Sequence, residues 1–569
     1  MIKKESSAFS KPESIKKSSS KFDIIERRFR GEKFFGHVGG YPLMYDNETQ
    51  SLILDPSDNH QLVLGATGSK KTRAIIMPAI KALAYAGESM IIHDTKGELF
   101  SEHSQELADL GYNVVTLSLR DSSVGNAWNP LKIPYMYYQQ GDIDKACEFA
   151  NDIARSICIA NMENANNNDP YWTTAAADTF FGLTLLLMEY VSEGNFPETE
   201  VSLANLIKLK RELFNNKNTS EPKKTDIWKW ASQNELVYAS LSGTVLTATD
   251  TRAGVISVLD AALRSFIINE ALTNMLSNND IDIALTGEQK TAIFLITPDE
   301  KTSMHGIVSL FVQQSYQYLI YKAIEHGGKL KVRVNYILDE FTSLPEIGDA
   351  GNFVAMISAA RSRNIRYLIA CQSFGALKKR YGDEKDAIVA NCTNLVFFFS
   401  REIELLQYLS DLCGKKNDGK PNITISELQQ LDKNSNQALV FTGRMKPTIV
   451  NFIDINDKKM GKSKGALPLL RVDREKAGNI DFSELPESAK EIVDKLKKPT
   501  GNPFGSRVFD FNQDESKKAS IESRNNESKD DIDMDALIKR IDEKDLEQSE
   551  ELLKRITERA KEIDSKKEG

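Results

Sequence analysis

The sequence predicts an α/β fold, a parallel sheet interrupted in sequence by a long all-helical insertion. Three observations carry that expectation. Short apolar strand runs alternate with helical spacing from Gln61 onward, the strand pattern stops between about Ile143 and Leu263, and it resumes at Thr291.

Residues 1–35 are rich in Lys, Ser and Arg and poor in apolar side chains, which reads as a basic flexible tail. Such a tail is also a candidate arm for anionic lipid or nucleic acid. Gln61–Leu64 is a short strand that enters a Gly-rich turn, and Arg73–Tyr85 then has helical spacing. Glu88–His93 is a second strand, ending at Asp94, and Tyr112–Leu117 is a third. Strand, helix, strand in that order builds a parallel sheet with right-handed crossovers. In Ala146–Ile159, Ala175–Val191 and Val201–Leu209, apolar residues recur every three or four positions, as on one face of a helix. Buried-strand runs return at Thr291–Thr297, Val332–Leu338, Tyr367–Ala370 and Leu395–Phe399. After about Lys458 the composition shifts, and residues 514–569 are dominated by Glu, Asp, Lys and Ser. Within them Ile532, Leu537, Ile541, Leu553, Ile556 and Ile563 fall at loosely helical spacing, so the end reads as an acidic tail with one or two amphipathic helices, a candidate for partner docking.

The bulk numbers exclude several classes. The chain has 569 residues and a net charge of −8, so any grip on DNA must come from a local patch or a lined channel. Its five cysteines include no CxxC pair, which argues against a disulfide framework or zinc site and for a reducing compartment. The six histidines form no HExxH pair, so no transition-metal site is expected. No apolar run reaches the roughly 18–20 residues that span a bilayer, and no signal peptide is read at the N-terminus. The expectation is a soluble, cytoplasmic chain.

Two motifs carry chemistry. Gly65, Ala66, Thr67, Gly68, Ser69, Lys70, Lys71 and Thr72 follow a strand and open a helix, the setting of a Walker A loop. Backbone N–H groups at such a helix start wrap phosphate oxygens. Lys71 would reach the β- and γ-phosphates of ATP, and Thr72 would ligate Mg²⁺. Lys70 stands where the motif has its second Gly; a helical φ there would let the side chain point away from phosphate. Tyr336–Glu340 is an apolar strand ending in two acids, a Walker B pattern. Asp339 would hold Mg²⁺, and Glu340 would orient or deprotonate the attacking water. Gln372, at the tip of the next strand, is placed to sense the γ-phosphate. Arg361 or Arg363 could act across a subunit boundary as an arginine finger.

These segments resemble the type IV coupling proteins, the TraG/TraD-like ATPases of conjugation within the FtsK/HerA P-loop superfamily. The resemblance spans roughly residues 36–450. It rests on LVLGATGSKKT (62–72), HDTKGELF (93–100), WNPL (128–131), DPYWTTAA (169–176), YILDEFTSLPEIGD (336–349), ISAARSRNIRYLIACQSFGALKKRYG (357–382) and NCTNLVFFFS (391–400). It implies a RecA-like motor domain with an all-α domain inserted between the Walker motifs. The expected division is a tail over 1–35, nucleotide-binding parts over 36–135 and 263–457, the all-α insertion over 136–262 and a charged extension over 458–569. It further implies a homohexameric ring with nucleotide at subunit interfaces and DNA, expected single-stranded, in the channel. Arg361 matches the family's arginine-finger position, Gln372 its glutamine motif, and Asp94 and Lys96 a motif after the second strand.

Family members usually begin with transmembrane helices, and this sequence shows none. The expectation is therefore a cytoplasmic protein recruited peripherally to the inner face of the membrane, through a separate membrane protein, the basic tail or the channel. The leading functional reading is a coupling ATPase that delivers a relaxase–DNA complex to a type IV channel. A nucleotide-binding adaptor with little hydrolysis is the alternative that Lys70 motivates. A chromosome-type DNA pump of the same superfamily is disfavoured, because the acidic tail shows no winged-helix pattern.

Overall fold

Each of the sheet's central strands is buried on both faces, which is why the strands read as short continuous apolar runs rather than alternating ones. The computed structural model describes residues 12–18, 20–23, 39–158, 170–215, 221–267, 269–300, 304–348 and 352–497. Its strands are β1 (Ser20–Asp23), β2 (Tyr41–Asp46), β3 (Ser51–Asp55), β4 (Gln61–Leu64), β5 (Ser89–Asp94), β6 (Asn113–Ser118), β7 (Thr291–Ile296), β8 (Val334–Leu338), β9 (Ile365–Cys371), β10 (Asn394–Phe397), β11 (Gln437–Thr442) and β12 (Thr448–Asn451).

The nine-stranded sheet runs β12-β11-β10-β4-β9-β8-β5-β7-β6. From β6 across to β10 every pairing is parallel, and β11 and β12 add an antiparallel hairpin at one edge. After β4 the chain skips to β5, leaving a gap that β8 and β9 later fill. The strands carrying the two motifs, β4 and β8, thus lie either side of β9, with Leu64 level with Cys371 and Leu338 level with Ile369. Interstrand spacing puts β4 and β8 about 10 Å apart.

Between β6 and β7 the described residues from Lys132 to Glu288 form helices and no strand; the longest is Pro170–Glu193. These helices share one hydrophobic cluster with a face of the sheet. Trp128 is sealed in that cluster, edge-on to Phe311 at 4.9 Å, and Asn129 Nδ2 donates to Val201 O at 2.7 Å. The WNPL segment therefore stitches the end of the first sheet half to the helices.

The basic tail is folded in part, unlike the flexible segment its composition predicts. Pro12–Ser18 is a helix and β1 pairs antiparallel with β3. The reason is local: Ile15 is fully buried, and Lys16 makes an ion pair with Asp46 at 2.9 Å. The charged extension is also ordered at its start. Residues 461–486 run over the body, with Val472 N–H donating to Ser123 O at 3.0 Å, and Glu487–Lys497 forms a helix. Ile480, Phe482, Ala489 and Val493 supply the buried anchors that the surrounding charges conceal. The described residues from 12 to 497 form one compact unit; residues 498–569, with the amphipathic helices predicted there, lie outside the described residues.

His60 fixes the approach to β4. Its Nδ1 accepts from Tyr367 N–H at 3.0 Å, so the neutral ring donates from Nε2 to Ile357 O at 2.8 Å. Burial pulls its pKa down to about 4 from an ordinary 6.5. A depressed histidine pKa stabilises the fold above pH 6.5, and that contribution is lost as pH falls through 6.5 toward 4. The expected loss is about 3 kcal/mol. Denaturant midpoints measured from pH 7.5 down to 4.5 should fall more steeply for wild type than for His60→Asn; equal slopes would refute the assignment.

Candidate nucleotide site

The phosphate-loop candidate is pinned on both flanks. Gly65 N–H donates to Cys371 O at the end of β9 (3.2 Å), and Ala66 N–H donates to Phe399 O beyond β10 (2.7 Å). A Cβ on Gly65 would meet Ser69 Oγ at 2.6 Å, so a larger residue here would displace the Ser69 hydroxyl. Gly68, at φ +76°, takes the left-handed turn at the loop's tip. Ser69 Oγ is buried with no hydrogen-bond partner among the described residues. The helix opens with a π-turn, Thr72–Ile76, and continues as Met77–Ala86.

Lys71 is buried, and its ammonium donates to Gly65 O. Burial pulls its pKa down, while the charges of Asp339 and Glu340 oppose the fall. Thr72 Oγ1 donates to Asp339 Oδ2 at 2.9 Å, across 267 residues of sequence. Asp339 is buried, and that desolvation pushes its pKa up to about 6 despite the Thr72 bond and Lys71. A divalent cation would relieve this buried carboxylate. An orphaned hydroxyl at Ser69, a buried ammonium beside loop carbonyls, and a Thr–Asp pair fit a magnesium nucleotide.

Glu340 turns out of β8 in the left-handed region, at φ +54°. That conformation costs a non-glycine residue roughly 1–3 kcal/mol and is found where function demands it. It sets the carboxylate toward β9. Gln372 Nε2 donates to Glu340 Oε2 at 2.9 Å, and Thr67 Oγ1 donates to Gln372 Oε1 at 3.2 Å. The tip of the middle strand thus links the loop to the acid pair. Behind them His93 Nδ1 lies 2.8 Å from Asp339 O and its Nε2 lies 3.1 Å from Thr297 Oγ1.

Lys70 corrects the sequence reading. Its φ is +69°, left-handed and not helical. The loop keeps the backbone turn that glycine makes elsewhere, at about 1–2 kcal/mol of strain for a residue with a Cβ. The side chain nevertheless leads away from the loop: Lys70 Nζ donates to Asn436 Oδ1 at 2.9 Å and to Lys433 O at 3.3 Å.

Other expected residues fall elsewhere. Arg361 precedes β9 at the opposite end of the sheet from Gln372 and donates to Asn59 Oδ1 at 2.9 Å. Seven residues of strand β9 separate those ends by about 20 Å, so Arg361 does not reach the site of its own chain. Arg363 lies beside it, bonded to Ser362 Oγ. Asp94 has a structural role: its carboxylate accepts from Gly97 N–H and Phe100 N–H, both at 2.8 Å, and so fixes the start of helix Glu98–Asp109. Lys96 lies exposed in that turn. Sequence reading missed the second wall. A cavity of about 350 Å³ lies between Thr67–Ser69 and Phe399, Gln429, Lys433 and Asn436. The stretch Asp432–Asn436 carries turn residues, but nothing local places it 366 positions away beside the loop.

No curated protein matches the chain. Among solved structures, the chain is similar to the bacterial conjugative coupling protein TrwBΔN70 in complex with sulphate, at 16% identity and a TM-score of 0.48, covering 72% of this chain and 89% of that one. Plasmid coupling protein TrwB in complex with ADP and Mg²⁺ is similar at 16% identity and a TM-score of 0.47, with the same 72% and 89% coverage. VirB4 of Thermoanaerobacter pseudethanolicus is similar at 13% identity and a TM-score of 0.43, covering 75% of this chain and 99% of that one. A family model described as type IV secretory system conjugative DNA transfer matches residues 10–444, most of the chain. The chain therefore belongs to the conjugative DNA-transfer family of type IV secretion systems.

Proposed function

We propose that this protein is the coupling ATPase of a conjugative type IV secretion system, which binds ATP and DNA and delivers a relaxase–DNA substrate to the membrane channel. The carrying observation is the convergence of the tips of β4, β9 and β8: Thr72 on Asp339, and Thr67 through Gln372 to Glu340. In this reading Lys71 and the amides of residues 65–72 hold the phosphates, and Thr72 and Asp339 hold Mg²⁺. Bound Mg²⁺ would supply positive charge against the phosphate oxygens. Glu340 orients the attacking water, and Gln372 reports the state of the phosphate end to the loop.

Arg361 lies at the far end of its own sheet, which supports a role toward a neighbouring copy in a homohexameric ring. Residues 136–262 act as the inserted all-α domain that faces the substrate, between nucleotide-binding parts at 36–135 and 263–457. No described helix is long and apolar enough to cross a membrane, and a separate membrane protein of the channel would recruit the chain to the inner face.

ATP turnover measured with and without single-stranded DNA tests this reading. Turnover that rises with DNA is expected; failure to bind either ATP or DNA at any salt concentration would sink it. A second reading, a nucleotide-binding adaptor with little hydrolysis, is favoured by the strained Lys70 in place of glycine. Wild-type turnover that Lys71→Ala abolishes counts against the adaptor.

A further inference from the structure

The side chain of Lys70 engages a wall of the pocket outside the phosphate and Walker B segments. Its ammonium bonds Asn436 Oδ1 at 2.9 Å and Lys433 O at 3.3 Å. The receiving side is built to hold still. Asn436 is buried and itself left-handed, at φ +49°. Its Nδ2 donates to Phe452 O at 3.1 Å, which leaves Oδ1 to accept from Lys70. Asp432 braces the same turn, accepting from Asn434 N–H at 2.9 Å and Ser435 N–H at 3.2 Å.

Lys433 and Asn436, which receive this contact, line the cavity of about 350 Å³ beside the loop, as do Thr67–Ser69 just before Lys70. Its lining includes Thr67–Ser69, where the phosphates would lie, together with the half-buried Phe399, Gln429 and the Lys433–Asn436 turn. An aromatic face beside an amide suits a heterocyclic base, which stacks on one and hydrogen-bonds to the other.

We infer that Lys70 is a positioning residue: it latches the 432–437 turn to the phosphate loop and so holds the wall that receives the nucleobase and ribose. This rests on the nucleotide-binding reading above. The strained backbone at Lys70 is retained because glycine, though relaxed at φ +69°, has no side chain to reach Asn436.

The latch separates two parts of one ligand, so two ligands test it. MgATP and magnesium tripolyphosphate are titrated into the full chain, its Lys70→Gly and Asn436→Gly variants and the double variant. Glycine accepts the positive φ at both positions, so neither change strains the backbone. Each single change should weaken ATP about tenfold, the worth of a charge-assisted hydrogen bond. The double variant should be no weaker than the worse single, because both remove the same contact. Tripolyphosphate affinity should move less than about twofold in all three. In steady-state assays the loss should appear in KM for ATP and not as a fall in kcat. If Lys70→Gly weakens both ligands equally, Lys70 contacts phosphate and the latch is refuted. Unchanged ATP affinity, or losses that multiply in the double variant, refutes it as well. Wild-type chain that binds neither ligand overturns the nucleotide-binding reading and the latch together.

Discussion

Glu340→Gln is expected to lower ATP turnover by about 10²–10⁴-fold, the usual worth of a positioned proton acceptor, while ATP affinity changes little. The substitution keeps the side chain's size and its place beside Gln372, whose Nε2 now donates to Glu340 Oε2 at 2.9 Å. It removes the negative charge that can align or accept a proton from water. The residues assigned to phosphate and Mg²⁺ are untouched: Lys71 stays on Gly65 O, and Thr72 stays 2.9 Å from Asp339. Separate measurement of kcat and the ATP dissociation constant checks the split. A kcat within tenfold of wild type would remove Glu340 from the water-handling role. Loss of ATP binding with kcat unchanged at saturation would assign it to nucleotide contact instead.

Arg366→Ala should be the most destabilising single change at the other end of the sheet, at about 3–5 kcal/mol, because it strands a buried charge. Arg366 is fully buried, and each nitrogen of its guanidinium donates: Nε to Asn335 Oδ1 at 3.0 Å, Nη1 to Ser57 O at 2.9 Å and Nη2 to Glu88 Oε2 at 2.5 Å. The same group stacks 4.8 Å from the centre of the Tyr41 ring. Without it Glu88 keeps Asn335 at 2.9 Å and a longer contact to Arg333 at 3.7 Å. Those partners do not replace a close guanidinium in a site of low dielectric. The denaturant midpoint reads the loss. A paired change, Glu88→Gln with Arg366→Met, should recover a large share of it, since removing both charges costs less than orphaning one. If the pair is as unstable as Arg366→Ala alone, packing and not charge sets the cost.

Much of the candidate site was legible because its motifs are local patterns. Gly65–Thr72 and Asp339–Glu340 sit at the ends of apolar strands, and strand ends can be read from hydropathy over a few residues. Gln372 was legible for the same reason. The antiparallel strands were harder. β2, β3, β11 and β12 belong to antiparallel ribbons whose short runs mix polar and apolar residues, and no helical spacing frames them. The ordered parts of both charged ends escaped notice because a few buried residues, Ile15 at one end and Phe482 and Val493 at the other, decide packing that composition averages away.

Sequence alone determined the parallel sheet, the long helical stretch between its halves, and the residue types at the candidate phosphate loop and the acid pair. Periodicity and backbone demands act over a handful of neighbours, so they are written into short windows. Tertiary structure decided what lies beside what. Inserting β9 between β4 and β8 placed Gln372 between Thr67 and Glu340. Folding the β11–β12 hairpin against β10 brought Asn436 to Lys70. The same sheet carried Arg361 away from the site its sequence neighbour Gln372 occupies, because an extended strand separates its two ends by its full length.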